Sequence, residues 1–173
     1  MRLLILADTH VPRRARDLPP AVWSEVDRAD VVVHAGDWVE AKLLDRLADR
    51  SARLIGVYGN NDGPLLQARL PEVAVADLDG LALAVVHETG PAAGRELRCA
   101  VRYPDADVLV FGHSHIPWDS VADNGRPGGL RLLNPGSPTD RRRQPVGTYL
   151  TADVVGGTLR TVTLRAVSPR ASG

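Results

Sequence analysis

The sequence has a single cysteine, no net charge and no long apolar run. One cysteine, Cys99, excludes an internal disulfide framework and any cysteine-based zinc site. Within the helix-like stretch "ELRCAVRY" it reads as a small buried hydrophobe. Lys+Arg 21 against Asp+Glu 21 gives a formal charge of zero, which leaves no footprint for bulk binding to nucleic acid or anionic membranes. The amino terminus "MRLLILADTH" is too short in apolar residues before Asp8 for a signal peptide, and no segment approaches membrane-spanning length. A cytoplasmic protein without a membrane partner is therefore expected. Nor does any linker, repeat or low-complexity segment divide the 173 residues. One domain over 1–166 is expected, followed by a mobile tail over 167–173.

What the chain does contain is an alternation. In the first half, short apolar runs end in polar residues and alternate with helical patterns. "RLLILA" (2–7) precedes "PPAVWSEVDRA" (19–29), and "DVVVHAG" (30–36) precedes "EAKLLDRLADR" (40–50), where Leu43, Leu44 and Leu47 fall at helical spacing. "ARLIGVYG" (52–59) is the third run. Continuous apolar strands between helices predict a parallel sheet of βαβ units. The second half changes character. "EVAVADL" and "LALAVVH" flank Asp79-Gly80, a hairpin turn signal; a helix is predicted over 91–103, and "DVLVFG" is a further strand. Short strands at 117–122, 130–134, 146–153 and 158–166 are predicted to be antiparallel. The expected fold is α/β, with two stacked mixed sheets and helices outside.

Sites in open α/β sheets lie beyond the carboxyl ends of strands, and here the apolar runs end in groups able to bind metals. The first yields Asp8-Thr9-His10, the second Gly36-Asp37 and the third Gly59-Asn60-Asn61-Asp62. Later, "LALAVV" ends at His87 and "VLVF" at Gly112-His113-Ser114-His115. Residues two apart on extended backbone point to the same side, so His113 and His115 are expected to reach one point, as metal ligands or simply as polar loop residues. Four of the five histidines directly follow apolar runs, which scattered surface histidines would not do. The fifth, His34, reads as a hydrogen-bonded residue near a strand end. The remaining set is Asp8, His10, Asp37, Asn60, His87, His113 and His115. Imidazole and carboxylate, with one amide and no thiolate, suit manganese, iron or zinc rather than calcium. The set is too large for one catalytic ion that keeps an open position, and suits two ions sharing a carboxylate.

In this order, "DTH", "GD", "GNND", "VVH" and "GHSH" resemble the signature of the calcineurin-like metallophosphoesterase superfamily. The short length, with "NPGS" (134–137) after the last motif, resembles its small bacterial and archaeal phosphodiesterase group. The resemblance implies a four-layer αββα sandwich with a two-metal centre at one end. It places Asp8, His10 and His115 on one ion, Asn60, His87 and His113 on the other, and Asp37 between them. It further implies hydrolysis of a small phosphodiester by in-line attack of a metal-bridging hydroxide, with the ions absorbing charge on the phosphoryl oxygens. Asp37, Asn60, Asn61 and Asp62 are then the catalytic residues. The implied cofactors are two divalent ions, manganese first, with iron, zinc or nickel as alternatives. The implied partner is a small-molecule phosphodiester rather than nucleic acid, and small relatives often form homo-oligomers.

The chain departs from the family pattern in two places. Many members carry histidine where this chain has Asn61, which donates a hydrogen bond but cannot supply a proton. That favours phosphodiesters or activated esters. Glu88 and Thr89 replace a common Gly-His after His87, which alters the substrate side of the pocket. Asp62 is retained and is expected to orient His10 or His113. Arg13, Arg14 and Arg16 in "VPRRARDLPP" are candidates for a substrate phosphate, Arg13 and Arg14 foremost with Asn61, set against a plain solvated loop. "DRRRQ" (140–144) has the same two readings. Trp118 reads as a base-stacking residue or, more simply, a packed one. Asn134, Pro135, Gly136 and Ser137 read as a turn supporting the site. Two other functions stay open on the same fold: a metal-binding scaffold or protein-interaction module, and a metal-dependent nuclease, although no long basic stripe is visible.

Overall fold

The computed structural model describes residues 1–167. The expected tail lies outside the described residues from 168 onward; Val167 itself donates its N–H to the Gly147 carbonyl (2.8 Å). In chain order the elements are β1 Arg2–Leu6, α1 Pro20–Val26, β2 Val31–Ala35, α2 Ala41–Arg50, β3 Leu54–Val57, α3 Pro64–Gln67 and β4 Val73–Leu78. They continue with β5 Leu81–Val86, α4 Arg95–Arg102, β6 Val108–Val110, β7 Trp118–Ala122, β8 Leu130–Asn134, β9 Thr148–Val155 and β10 Thr158–Ala166. Two five-stranded sheets result, ordered β10-β9-β1-β2-β3 and β4-β5-β6-β8-β7.

The two-residue alternation of strands lets each sheet serve two cores at once. Leu3 and Ile5 of β1, with Val31, Val33 and Ala35 of β2, pack against Leu83 and Val85 of β5 and Val108 and Val110 of β6 between the sheets. The intervening residues Leu4, Leu6 and Val32 turn outward onto Val22 and Trp23 of α1 and Leu43, Leu44 and Leu47 of α2. On the other sheet, Ala84, Val86, Leu109 and Leu132 meet Cys99 and Ala100 of α4. Strands buried on both faces read as continuous apolar runs for this reason. The layers run helices, sheet, sheet, helix, which is the four-layer αββα sandwich.

Two local expectations are corrected. The later strands are not all antiparallel: β8 pairs antiparallel with β7 but parallel with β6, Leu109 opposite Leu132. The β7–β8 hairpin folds β8 inward beside β6, and it is accordingly the more buried of the two. The helix predicted from residue 91 begins at Arg95, after Gly94 has taken a left-handed φ of 69°. A short helix, α3, was not expected; it opens with Pro64 in its first turn and buries Leu66.

Strands β1, β2 and β3 run parallel, as do β5, β6 and β8. Their carboxyl ends meet at one rim, where Asp8 donates its N–H to Gly36 (3.0 Å) and Gly112 to His87 (3.0 Å). The layered packing is tested by truncation. Leu109→Ala, at 0% exposure, is expected to cost about 3 kcal/mol in urea unfolding. Leu97→Ala on the outer face of α4, at 72% exposure, is expected to change stability by less than about 0.5 kcal/mol.

Candidate metal centre

Past the strand ends the expected ligands gather in two groups. In the first, His10 Nε2 lies 3.1 Å from His115 Nε2 and 3.4 Å from Asp37 Oδ2. Asp8 Oδ1 is 3.8 Å from His115 Nε2. In the second, Asn60 Oδ1 lies 2.9 Å from both His87 Nε2 and His113 Nδ1. Asp37 Oδ1 is 3.4 Å from His87 Nε2. Asp37 thus presents one oxygen to each group. Asp8, His10 and His115 are close enough to share an ion, as are Asp8, Asp37 and His87.

His113 and His115 enter different groups rather than converging on one point. Neither lies on extended backbone: their φ values are 70° and 59°, and Asp8 (54°), His10 (46°) and Asp37 (61°) are left-handed as well. Residues with a Cβ rarely adopt this region, and such strain collects where the surroundings over-determine the backbone. Here it aims side chains from separate strand ends at common points.

The imidazole protons can be traced. His87 Nδ1 donates to the Ala35 carbonyl (2.8 Å) and His115 Nδ1 to the Asp140 carbonyl (2.6 Å). Both rings therefore turn a lone pair on Nε2 inward. For His87 that lone pair faces Asn60 Oδ1, acceptor against acceptor. Burial holds His10 and His87 below the usual imidazole range and pushes His115 down to about 4. Asp8 Oδ2 is buried without a hydrogen-bond partner, and burial followed by the charge of Asp37 raises the Asp8 carboxyl well above its usual range. Neutral imidazoles, an amide oxygen and two buried carboxylates make a cage of acceptors short of donors. A divalent cation fits that donor set.

The surrounding polar groups hold the cage in shape. Asn61 donates its backbone N–H to Asp37 Oδ1 (2.9 Å) and its amide to Oδ2 (2.7 Å). Asp62 does not orient His10 or His113, as expected from sequence. It accepts from the backbone N–H groups of Asp37 (3.0 Å), Val39 (2.7 Å) and Gly59 (2.8 Å), locking the loops after β2 and β3 together. Gly59 is required there, since a Cβ would lie 2.3 Å from Asp37 Oδ1. Asn134 donates to the Gly112 carbonyl (2.9 Å) and Ser137 to the Asp8 carbonyl (2.7 Å), so the "NPGS" turn supports both ligand loops. His34 is buried, contacts Thr9 Oγ1 (3.0 Å) and stacks on Trp38 at 3.6 Å.

The family model of the calcineurin-like phosphoesterase superfamily domain matches residues 1–157. The chain belongs to that superfamily. A probable metallophosphoesterase of Methanocaldococcus jannaschii is 34% identical over 143 residues, covering 80% of this chain and 69% of the relative. A phosphodiesterase of the same organism is 23% identical over 152 residues, covering 79% and 83%. Vps29 of Chaetomium thermophilum shares the fold with a TM-score of 0.76 at 21% identity, over 96% of this chain and 97% of that one.

In this calcineurin-like phosphoesterase domain the expected substrate arginines lie on the loop between β1 and α1. Arg13, Arg14 and Arg16 are exposed, and Arg14 Nε lies 3.4 Å from Asp140 Oδ2. Trp118 is packed: the Arg95 guanidinium covers its ring at 4.5 Å and its Nε1 donates to Ser120 Oγ (2.8 Å). Glu88 Oε1 is 4.0 Å from His113 Nε2. With Tyr58, Asn60, His87 and Pro91 it lines a cavity of about 530 Å³. The Asp140 carbonyl and the Thr139 hydroxyl, which donates to the Thr9 carbonyl (2.5 Å), complete the site; the sequence singled out Asp140 only within the basic run "DRRRQ" and Thr139 not at all. Among the described residues no helix is long and apolar enough to cross a membrane.

Two outcomes follow for the metal-free chain. Asp62→Ala strands three N–H groups and is expected to cost about 3 kcal/mol in urea unfolding, with Asp62→Asn intermediate. His34 is held well below its ordinary 6.5, by burial first and by the nearby imidazoles second. Above that pH both states are neutral; below it only the unfolded chain takes the proton, so stability falls by about 1.4 kcal/mol per pH unit from this group. Unfolding between pH 7 and 5 is therefore expected to depend less steeply on pH in His34→Gln than in wild type.

Proposed function

We propose that this chain is a phosphodiesterase working with two divalent cations, Asp8, His10 and His115 holding one, Asn60, His87 and His113 the other, and Asp37 touching both. One observation carries the reading: the two oxygens of Asp37 each lie 3.4 Å from an imidazole nitrogen of a different group. When bound, such ions act as Lewis acids toward phosphoryl oxygens and make water a better nucleophile. Manganese is the first to test, because imidazole and carboxylate ligation admits it along with iron, zinc and nickel.

The chain's own part is positioning and electrostatics. Asn61 fixes the plane of the Asp37 carboxylate through two hydrogen bonds. Asp62 fixes where that carboxylate stands by gripping the backbone of Asp37. The carbonyls of Ala35 and Asp140 keep His87 and His115 in the tautomer that offers Nε2. No side chain at Asn61 can protonate a leaving group. Esters of good leaving groups and small diesters are accordingly favoured over alkyl monoesters.

Manganese-loaded protein is expected to hydrolyse bis-p-nitrophenyl phosphate. Chelation should stop the reaction, added manganese should restore it, and calorimetry should count two ions per chain. Asp37→Ala is expected to reduce hydrolysis to background; full activity in that variant would overturn the reading.

A further inference from the structure

Among the described residues Arg95, at the start of α4, is the only buried arginine, at 6% exposure. Its guanidinium lies against two aromatic rings, 4.8 Å from the centre of Phe111 and 4.5 Å from that of Trp118. Nε donates to Thr89 Oγ1 (2.9 Å) and Nη2 to the Gly90 carbonyl (3.4 Å). It forms no ion pair among the described residues; its neighbour Glu96 accepts from Ser120 Oγ (2.9 Å) instead. Burial pulls the guanidinium below its ordinary range. A charge buried without a carboxylate costs free energy that an apolar side chain of similar length would not. Stability therefore does not account for an arginine at this place.

What its contacts join are two ligand loops. Thr89 and Gly90 follow His87, and Phe111 stands two residues before His113. Gly112, between Phe111 and His113, donates its N–H to the His87 carbonyl (3.0 Å), so the two loops already touch there. Arg98, on the next turn of α4, donates to the carbonyls of Thr89 (3.1 Å), Ala93 (2.8 Å) and Pro91, which fastens the same loop to the helix. Thr89 is one of the two positions where this chain departs from the family pattern after His87, and its hydroxyl is the atom that Arg95 meets. The His115 side has other supports: the Asp140 carbonyl on the ring, and Asn134, whose amide reaches Ser114 Oγ (3.2 Å).

Resting on the two-cation phosphodiesterase reading, we propose that Arg95 is a positioning residue: it clamps Thr89 against Phe111 and so fixes His87 relative to His113, the two imidazoles that meet at Asn60 Oδ1. A guanidinium suits the task because its edge donates hydrogen bonds while its face packs on aromatic rings. With the clamp open, the ion assigned to Asn60, His87 and His113 loses affinity, while Asp8, His10 and His115 keep their places. Contacts behind a ligand imidazole commonly change metal affinity by about 10–100-fold.

Calorimetry of the full chain with manganese alone reads the two binding steps. Arg95→Met is expected to weaken one step about tenfold and leave the other unchanged. The urea-unfolding midpoint of the metal-free variant is expected to stay level or rise, since an apolar side chain replaces a buried charge. Thr89→Val, which removes the acceptor and leaves the arginine, is expected to weaken the same step; Thr89→Ser, which keeps the hydroxyl, is expected to bind as wild type. In the metal-free chain, NMR should find the His87 Nδ1–H exchanging roughly fivefold faster in Arg95→Met and Thr89→Val, the scale of one neutral hydrogen bond, with the His115 Nδ1–H unchanged. Unchanged binding, equal weakening of both steps, or Thr89→Ser no better than Thr89→Val would overturn the clamp. So would a lowered unfolding midpoint with unchanged His87 exchange, which would make Arg95 structural only. Selective weakening of one step in a protein that hydrolyses no bis-p-nitrophenyl phosphate would uphold the clamp and remove the phosphodiesterase reading; a single ion per wild-type chain would remove both.

Discussion

Asp8 and Asp37 are buried close together among inward-facing imidazole lone pairs, and much of the structure serves to hold that unfavourable arrangement. Burial penalises the Asp8 carboxylate, and the nearby charge of Asp37 adds to that penalty. The arrangement persists because donors are supplied from behind: Asn61 to Asp37, and the His113 N–H to Asp8 Oδ1 at 3.0 Å. Left-handed backbone at Asp8, His10, Asp37, His113 and His115 is a further expense, of the order of 1–3 kcal/mol per residue. The apolar cores on both faces of the sheets offset it. Stability is being given up locally for geometry, which is the ordinary sign of a working site.

Much of this was legible in the sequence, for a physical reason. Strands buried on both sides must be continuous apolar runs, so the first polar residue after each run marks where the chain leaves the core. Asp8, Asp37, Asn60, His87 and His113 all stand at or just past such points, and their order matches the superfamily signature. What could not be read was anything decided by φ or by main-chain atoms. The divergence of His113 and His115 depends on left-handed turns between them. The proton on His115 depends on the carbonyl of Asp140, distant in sequence and invisible as a side-chain pattern. Asp62 looked like a partner for a ligand imidazole, yet its three hydrogen bonds go to backbone. The pairing of β8 with β6 was hidden as well, because a hairpin signal says nothing of which arm lies inside the sheet.

The same site also shows how a neutral chain can be polar at short range. Many of the arginines that cancel acids in the overall count also meet them in space, as Arg46 meets Asp17 and, next to His115, Arg14 meets Asp140. Glu88 stands on the opposite flank. Composition reports the sum of charges; recognition responds to their separation.

The candidate ligand cage draws Asp8, His10, Asp37 and Asn60 from the loops of one sheet and His87, His113 and His115 from those of the other, and among the described residues no strand pairs across the divide. Between the sheets there is otherwise only side-chain packing and a few loop hydrogen bonds. An ion held as proposed would therefore be a rivet through a seam. Letting go of it and parting the two halves of the sandwich would then be linked equilibria, with metal supply setting how long the molecule stays shut as well as what it can do.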